Sequence, residues 1–459
     1  MKIAVIGSGI AGLSSAWLLA RHADGAHQVT LFEKNETLGG HTNTVDVTLD
    51  GVTHPVDTGF LVLNDWTYPN LNALFAHLGV ELASSDMSFG VKLLDEQGRG
   101  RLEWCGSNNP ATIFAQPANF FRPAFWGMLR DLFRFNKAAT ALAQDAGNIT
   151  GTLGEYLDAN RYGAPFRDWY LKPMAACIWS TPTTQIDSFP LATFVTFCRN
   201  HGLLSVNHRP QWRTVRGGAR TYVQKMAVAL DHVRLGTQIK AVQFDGKHVT
   251  VVSGAGSEQF DQVIFACHSD QALALLSEGN NEARELLNKI PYQSNTAILH
   301  TDEKLLPDRK RAWAAWNYVA WHPPVNAARS GSTPDAPDAP DAPVSLSYLI
   351  NRLQPLPFSA SVIVTMNPLI APDPAKVIRR ISYEHPVFLA TSATTRRAMR
   401  ALQGKRRMWF AGAWTRYGFH EDGLMSGMAV AKALGATVPW ATNVPAADDL
   451  TRIYPGVDA

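Results

Sequence analysis

The chain opens on a short apolar run, Lys2 to Ile6, which breaks into Gly7-Ser-Gly9-Ile10-Ala11-Gly12. Apolar residues at helical spacing follow from Leu13 to Arg21, and a second β-type run, Gln28 to Phe32, ends on Glu33 and Lys34. Strand, glycine turn, helix, strand and acid in this order predict a βαβ unit of the kind that holds a dinucleotide. Gly7 permits the tight turn, Gly9 admits close backbone approach, and Gly12 lets the helix pack on its strand. The first helical turn, with Ile10 and Ala11, then faces phosphate, and Glu33 stands where an acid accepts hydrogen bonds from a ribose. Three glycines interrupt the apolar run, so it does not read as a signal peptide.

Further along, Val45–Leu49 and Val52–Val56 alternate apolar and polar residues across Asp50-Gly51, predicting a β-hairpin that leads into Asp57-Thr58-Gly59. Tyr68 to Leu78 has helical spacing and stops on Gly79. From about Ala83 to Arg209 the pattern predicts mostly helix. Within it, residues 113–137 interleave seven aromatic side chains with Arg122, Arg130, Arg134 and Lys137, as one face of a helical core or a segment lying on a membrane does. Gly217 and Gly218 precede a helical run from Tyr222, a strand begins at Ile239, and a buried-type strand ends at Ala266. Asn295–Leu299 and Val344–Leu349 read as strands. Between them, 332–343 repeats Ala-Pro-Asp and predicts an extended, solvated loop. The last periodic segment is a strand from Met408, a turn at Gly412, and a helix opening around Gly423 to Gly427.

These motifs resemble the flavin-containing amine oxidoreductases, the family of monoamine oxidase and phytoene desaturase. Gly39-Gly40 and Thr58-Gly59 complete the N-terminal signature, and the stretch from Met408 to Gly427 is similar to the closing motif. The run Gly39-Gly-His-Thr-Asn-Thr44 resembles a bacterial subgroup associated with modified fatty acid genes. The resemblance implies an α/β fold: a Rossmann-like, glutathione-reductase-like FAD domain interleaved with an α+β substrate domain that has a mixed sheet and a helical subdomain. Residues 1–82, 210–290 and 405–440 would form the FAD domain, and 83–209 and 291–404 the substrate domain. Residues 441–459 would be a tail. Cofactor contacts are then expected at Gly7, Gly9, Ile10, Ala11, Gly12, Glu33, Lys34, Gly39, Gly40, His41, Thr58, Gly59, Gly217, Gly218, Ile239, Ala266, Gly412 and Gly423. The turn Leu424-Met425-Ser426 is expected to aim a helix N-terminus at the flavin edge that carries charge on reduction.

Where the family usually has arginine after the paired glycines, this chain has His41. His41, His300, Asn317, Tyr417 and His420 are the catalytic candidates, and Asn64 and Arg416 are further polar groups expected near the ring. Trp414 and Tyr417 could form an aromatic wall beside it. Amine oxidases commonly carry a lysine early in a substrate-domain strand; the matching stretch, Tyr292 to His300, has none. That argues against simple amine oxidation and leaves hydride abstraction by oxidation or desaturation; a hydrophobic, lipid-like substrate is what the subgroup resemblance implies. Amine oxidation and a non-redox isomerase or mutase reaction are the alternatives. None of Cys105, Cys177, Cys198 and Cys267 falls in the closing loop, so FAD is expected to be noncovalent, with a histidyl linkage as the alternative.

Composition narrows the picture. At 459 residues, 46% hydrophobic and 18% charged, the chain can bury a sizeable core. A net charge of +3 does not imply nucleic acid, and four cysteines without a CxxC pair give no zinc or dithiol motif. No run of eighteen apolar residues exists to span a bilayer, so the cytoplasm is expected, with peripheral membrane contact through 113–137 as the alternative to a helical core face. Thirteen Trp and twenty-one Phe suit a large apolar cavity. No metal spacing or second dinucleotide fingerprint appears, so electrons are expected from the substrate rather than NAD(P)H. The pattern leaves oligomeric state open.

Overall fold

The computed structural model describes residues 1–440 apart from 23–24, 108, 145–148, 180, 206–208, 278, 322–343 and 388–391. The 332–343 loop and the 441–459 tail therefore lie outside the described residues.

The opening run forms the strand Lys2–Ile6 at the centre of a five-stranded parallel sheet. Gln28–Phe32 and Gln262–Phe265 flank it, and His232–Arg234 and Met408–Phe410 take the edges. Alternation along the strand sorts its side chains. Ile3 and Val5 pack under the helices Ile10–Ala20 and His420–Ala433, while Ala4 and Ile6 meet a three-stranded antiparallel meander spanning Ile239–Phe260. Both faces are covered, as a parallel sheet requires. The two helices touch nearly backbone to backbone. A Cβ on Gly427 would collide with Ser14 Oγ and Ala11 O, and Ser15 Oγ donates to Gly427 O at 3.3 Å.

A second, seven-stranded sheet runs in the order Val377–Pro386, Tyr292–His300, Ile363–Met366, Ser345–Leu349, Trp316–Trp321, Phe89–Leu94, Gly100–Gly106. Its neighbours are antiparallel except Trp316–Trp321 with Phe89–Leu94, so the sheet is mixed. Helices Pro123–Leu142, Lys172–Trp179 and Leu191–Asn200 share a core with it.

The helical reading from Ala83 onward needs correction. Leu82–Ser84, Phe89–Leu94 and Gly100–Gly106 are strands, and helix begins only later. Gly90 to Leu94 is continuously buried, and a strand covered on both faces reads as an unbroken apolar run that periodicity cannot separate from helix. Among the described residues no helix is long and apolar enough to cross a membrane.

Candidate active site

One continuous cavity of about 2300 Å³ runs from the opening glycine turn to the mixed sheet. That is more than double the roughly 1,000 Å³ upper range of a small-molecule pocket, leaving room for two occupants end to end.

At its first end the three fingerprint glycines divide by role. Gly7 has φ +102°, and a Cβ there would stand 2.7 Å from Ala266 O. A Cβ on Gly12 would run into Gly7 O. Those two are glycine because the fold demands it. Gly9 has an ordinary φ of −61°, and a Cβ on it would meet nothing within 4 Å. The space above Gly9 is the cavity. Gly9 also caps the helix Ile10–Ala20, which has no side-chain cap and no acid in its first turn. A helix start left without an anionic partner is the natural seat for phosphate. Glu33 lies beside it: Ser8 N and Ser8 Oγ donate to Glu33 Oε2 at 3.0 and 2.6 Å, and Asn35 N donates to Oε1 at 2.9 Å. Lys34, Ile239 and Ala266 line the same end. Gly39 and Gly40, at φ +119° and +58°, fold back over the turn until a Cβ on Gly40 would stand 3.1 Å from Gly9 Cα.

The middle of the cavity is built from imidazoles. His41 stacks on Tyr383 at 5.1 Å and lies 5.5 Å from the His385 ring and 6.0 Å from His268. Burial, and then the neighbouring His268, push His41 down to about 4. His268 falls to about 4 by burial, and His385 to about 3 by burial and its two imidazole neighbours. All three are therefore neutral at physiological pH. His385 Nδ1 lies 3.1 Å from Asn295 Nδ2, and His268 stacks on Tyr292 at 4.3 Å. Among the described residues His41 Nε2 has no hydrogen-bond partner. Opposite them, His420 stacks on Phe60 at 3.9 Å, and its Nε2 is 2.7 Å from the Tyr222 hydroxyl, which in turn is 2.6 Å from Thr42 Oγ1.

The far end is aromatic. Trp104, Tyr170, Trp212, Trp316 and Tyr348 form its walls, with Met174, Cys177 and Ile178 from the helix Lys172–Trp179. Lys34, at the opposite end, is the only lysine among the described lining residues.

Most of the expected contact residues line this cavity, including Gly59, Gly412, Gly423 and Trp414. Several others do not. The last helix starts at His420, so Leu424, Met425 and Ser426 lie buried inside it, and its first turn presents Gly418, Phe419, His420 and Gly423 instead. Ser426 is a latch, with its Oγ accepting from Gly412 N at 2.8 Å and donating to Gly423 O at 2.7 Å. Gly12 is packed beneath the turn rather than in the groove. Thr58 Oγ1 is 2.8 Å from the Tyr383 hydroxyl, behind the cavity wall. Gly217 and Gly218 take positive φ at the hairpin, where Gly218 packs on Thr44 and Pro55.

Three catalytic candidates lie outside the cavity lining. His300, buried in its strand, lies 2.8 Å from Thr365 Oγ1 and accepts from Asp302 N at 3.0 Å. Asn317 bonds Ala314 N, Ala314 O and Ser347 O. Tyr417 carries Arg396 over its ring at 5.2 Å and forms no wall with Trp414 along the cavity. Asn64 Oδ1 accepts from Trp66 N and Thr67 N, and Arg416 is buried with one guanidinium nitrogen 2.9 Å from Met425 Sδ. Of the five catalytic candidates, His41 and His420 reach the cavity. His268, Tyr383 and His385 were not anticipated. The position of His268 just past the Ala266 strand end was a usable signal; His385 sits on an edge strand with no motif. Among the described residues no cluster could hold a metal ion.

The model for flavin containing amine oxidoreductases matches residues 10–435. A 4,4'-diapophytoene desaturase (4,4'-diaponeurosporene-forming) of Staphylococcus aureus strain MRSA252 is 43% identical over 65 residues, which is 14% of this chain and 12% of that enzyme's length. Cyclohexylamine oxidase from Brevibacterium oxydans IH-35A superposes with a TM-score of 0.64 at 15% identity, covering 94% of this chain and 98% of that one. A CLA-producing fatty acid isomerase from P. acnes gives 0.60 at 14% identity over 95% and 98%. At such identities the likeness is one of fold, which these enzymes share across different reactions. By the match along nearly its whole length, this chain belongs to the flavin-containing amine oxidoreductase family.

Proposed function

We propose that this protein binds FAD noncovalently and uses it to abstract hydride from a hydrophobic, lipid-like substrate. The observation that carries this reading is the continuity of the cavity, a phosphate-type helix start at one end and an aromatic chamber at the other. Gly9 and the uncapped first turn of the Ile10–Ala20 helix would hold the pyrophosphate, Glu33 the ribose, and Gly39, Gly40 and the first turn at His420 the remaining length. FAD would supply a two-electron hydride acceptor at the junction of groove and chamber. The chain's own residues do the rest. The aromatic walls desolvate and orient an apolar substrate, and burial keeps His41, His268, His385 and His420 neutral. His41, whose Nε2 has no partner among the described residues, can hold or pass a proton there.

Two features favour a carbon–hydrogen substrate over an amine. The Tyr292–His300 strand has no lysine, and Tyr417 is turned away, so no paired aromatic cage forms with Trp414. The test is to purify the protein, record its flavin spectrum, and titrate it anaerobically with acyl lipids, amines and NADPH, followed by product mass. Bleaching by an acyl lipid with loss of two hydrogens is expected. Bleaching by amines alone would favour amine oxidation, and a product of unchanged mass would favour isomerisation. A colourless protein that ignores added FAD would overturn the reading.

A further inference from the structure

The turn Pro117–Phe121 and the helix Pro123–Leu142 carry four strongly exposed aromatic residues: Phe120 at 54%, Phe121 at 81%, Trp126 at 46% and Phe133 at 58%. Large apolar side chains clustered in water mark a surface that something covers. This one is ordered. Trp126 Nε1 donates to Phe120 O at 2.8 Å, and Phe114 packs against both rings at 5.3 and 5.6 Å. Along the helix, Trp126, Arg130, Phe133 and Lys137 follow one another at four-, three- and four-residue spacing and are all exposed. They form one water-facing stripe, while Phe125, Met128 and Phe135 enter the core.

Charge identifies the occupant. From Ala111 to Leu142 the segment has four basic residues and one acid, Asp131. That acid is buried, accepting from Gly163 N at 2.9 Å with Arg130 and Arg134 beside it. The outward side chains of this segment are therefore aromatic and basic, with no exposed carboxylate among its described residues. Rings that enter an acyl boundary and cations that meet lipid phosphates are what such a face fits. Phe133 belongs to the stripe and to the cavity lining alike, and Leu129 and Leu132 continue inward from it. Phe133, exposed to water and part of the cavity lining, is where stripe and chamber meet.

We propose that this face docks on the surface of an anionic phospholipid bilayer, placing the chamber mouth against the lipid. The docking stands on the exposed stripe alone. Delivery of substrate from the bilayer through the mouth rests on the hydrophobic-substrate reading above.

Sedimentation of the full chain with phosphatidylglycerol-containing vesicles, compared with pure phosphatidylcholine, tests it. Binding to the anionic vesicles is expected, falling steeply with salt. Phe121→Asp and Lys137→Glu, both at exposed positions of the segment, are each expected to weaken it about tenfold or more while leaving the thermal midpoint unchanged. Failure to bind either vesicle, or variants that bind as well as the parent, would overturn docking. So would gel filtration showing that Phe121→Asp dissolves a dimer that otherwise covers the stripe. The readout does not depend on flavin: a yellow protein that ignores vesicles defeats docking, and a colourless one that binds them defeats only the enzyme reading.

Discussion

Gly9 and Gly12 are separated by two residues and by opposite reasons for being glycine. Gly12 is enclosed by Gly7 and Ala266, so Gly12→Ala forces backbone apart and should destabilise the fold by at least about 2 kcal/mol, read by denaturant melting. Gly9→Ala fills only the cavity and should change stability by no more than about 1 kcal/mol, while FAD retention on gel filtration is lost. If both variants kept FAD, the groove would not be the cofactor seat. The buried imidazoles give a prediction with a sign. His201, stacked on Phe197 at 3.9 Å, is pushed down to about 4 by burial. Its folded value lies below the unfolded value of about 6.5, so acidification protonates the unfolded chain first. The contribution is full above pH 6.5 and is lost as pH falls toward 4. Asp57 and Asp422, raised to about 6 by burial, and Glu421, raised to about 7, act in the opposite sense. They favour the folded state below the ordinary carboxylate range and lose that advantage as pH rises through their folded values. A difference measurement isolates the histidine. Between pH 7 and 5, the stability advantage of the parent over His201→Phe should shrink by about 2 kcal/mol.

Elements are held to one another by buried polar groups. Glu421, in the first turn of the last helix, accepts from Asn70 N, Asn70 Nδ2 and Leu71 N, each at 2.9 Å. One carboxylate thereby fixes the start of the helix Pro69–Leu78 against the start of His420–Ala433 and sets where His420 and Phe419 meet the cavity. Glu421→Ala would strand those donors and should cost about 3 kcal/mol, while Glu421→Gln, which keeps an acceptor oxygen, should cost less. Chemical denaturation of the pair checks the order. The strands Phe89–Leu94 and Gly100–Gly106 show how far local pattern reaches. Their apolar runs were visible, but only the neighbouring chain, Trp316–Trp321 on one side, decided that they pair as sheet.

At the scale of the whole molecule, the cavity joins parts of the chain that local pattern treats as strangers. Its junction takes His41 from just past the glycine pair, His268 from a strand end, His385 from the edge of the mixed sheet and His420 from the last helix. If FAD lies there, NADPH alone should fail to bleach it anaerobically, since no second dinucleotide fingerprint accompanies the first; rapid bleaching by NADPH would contradict this. The βαβ unit, the glycine hairpin turn and the Gly412 strand-turn were legible in sequence. Each rests on backbone constraints that one residue type satisfies within a few positions, at Gly7, Gly51 or Gly412. His300, Asn317 and Tyr417 looked equivalent to His41 and His420, because a polar side chain's role depends on its partners, and those are supplied by distant strands. Residue pattern by itself settled where nucleotide-type turns form; which histidines face a common space was decided only when two sheets closed over it, since burial and pairing are properties of the folded chain.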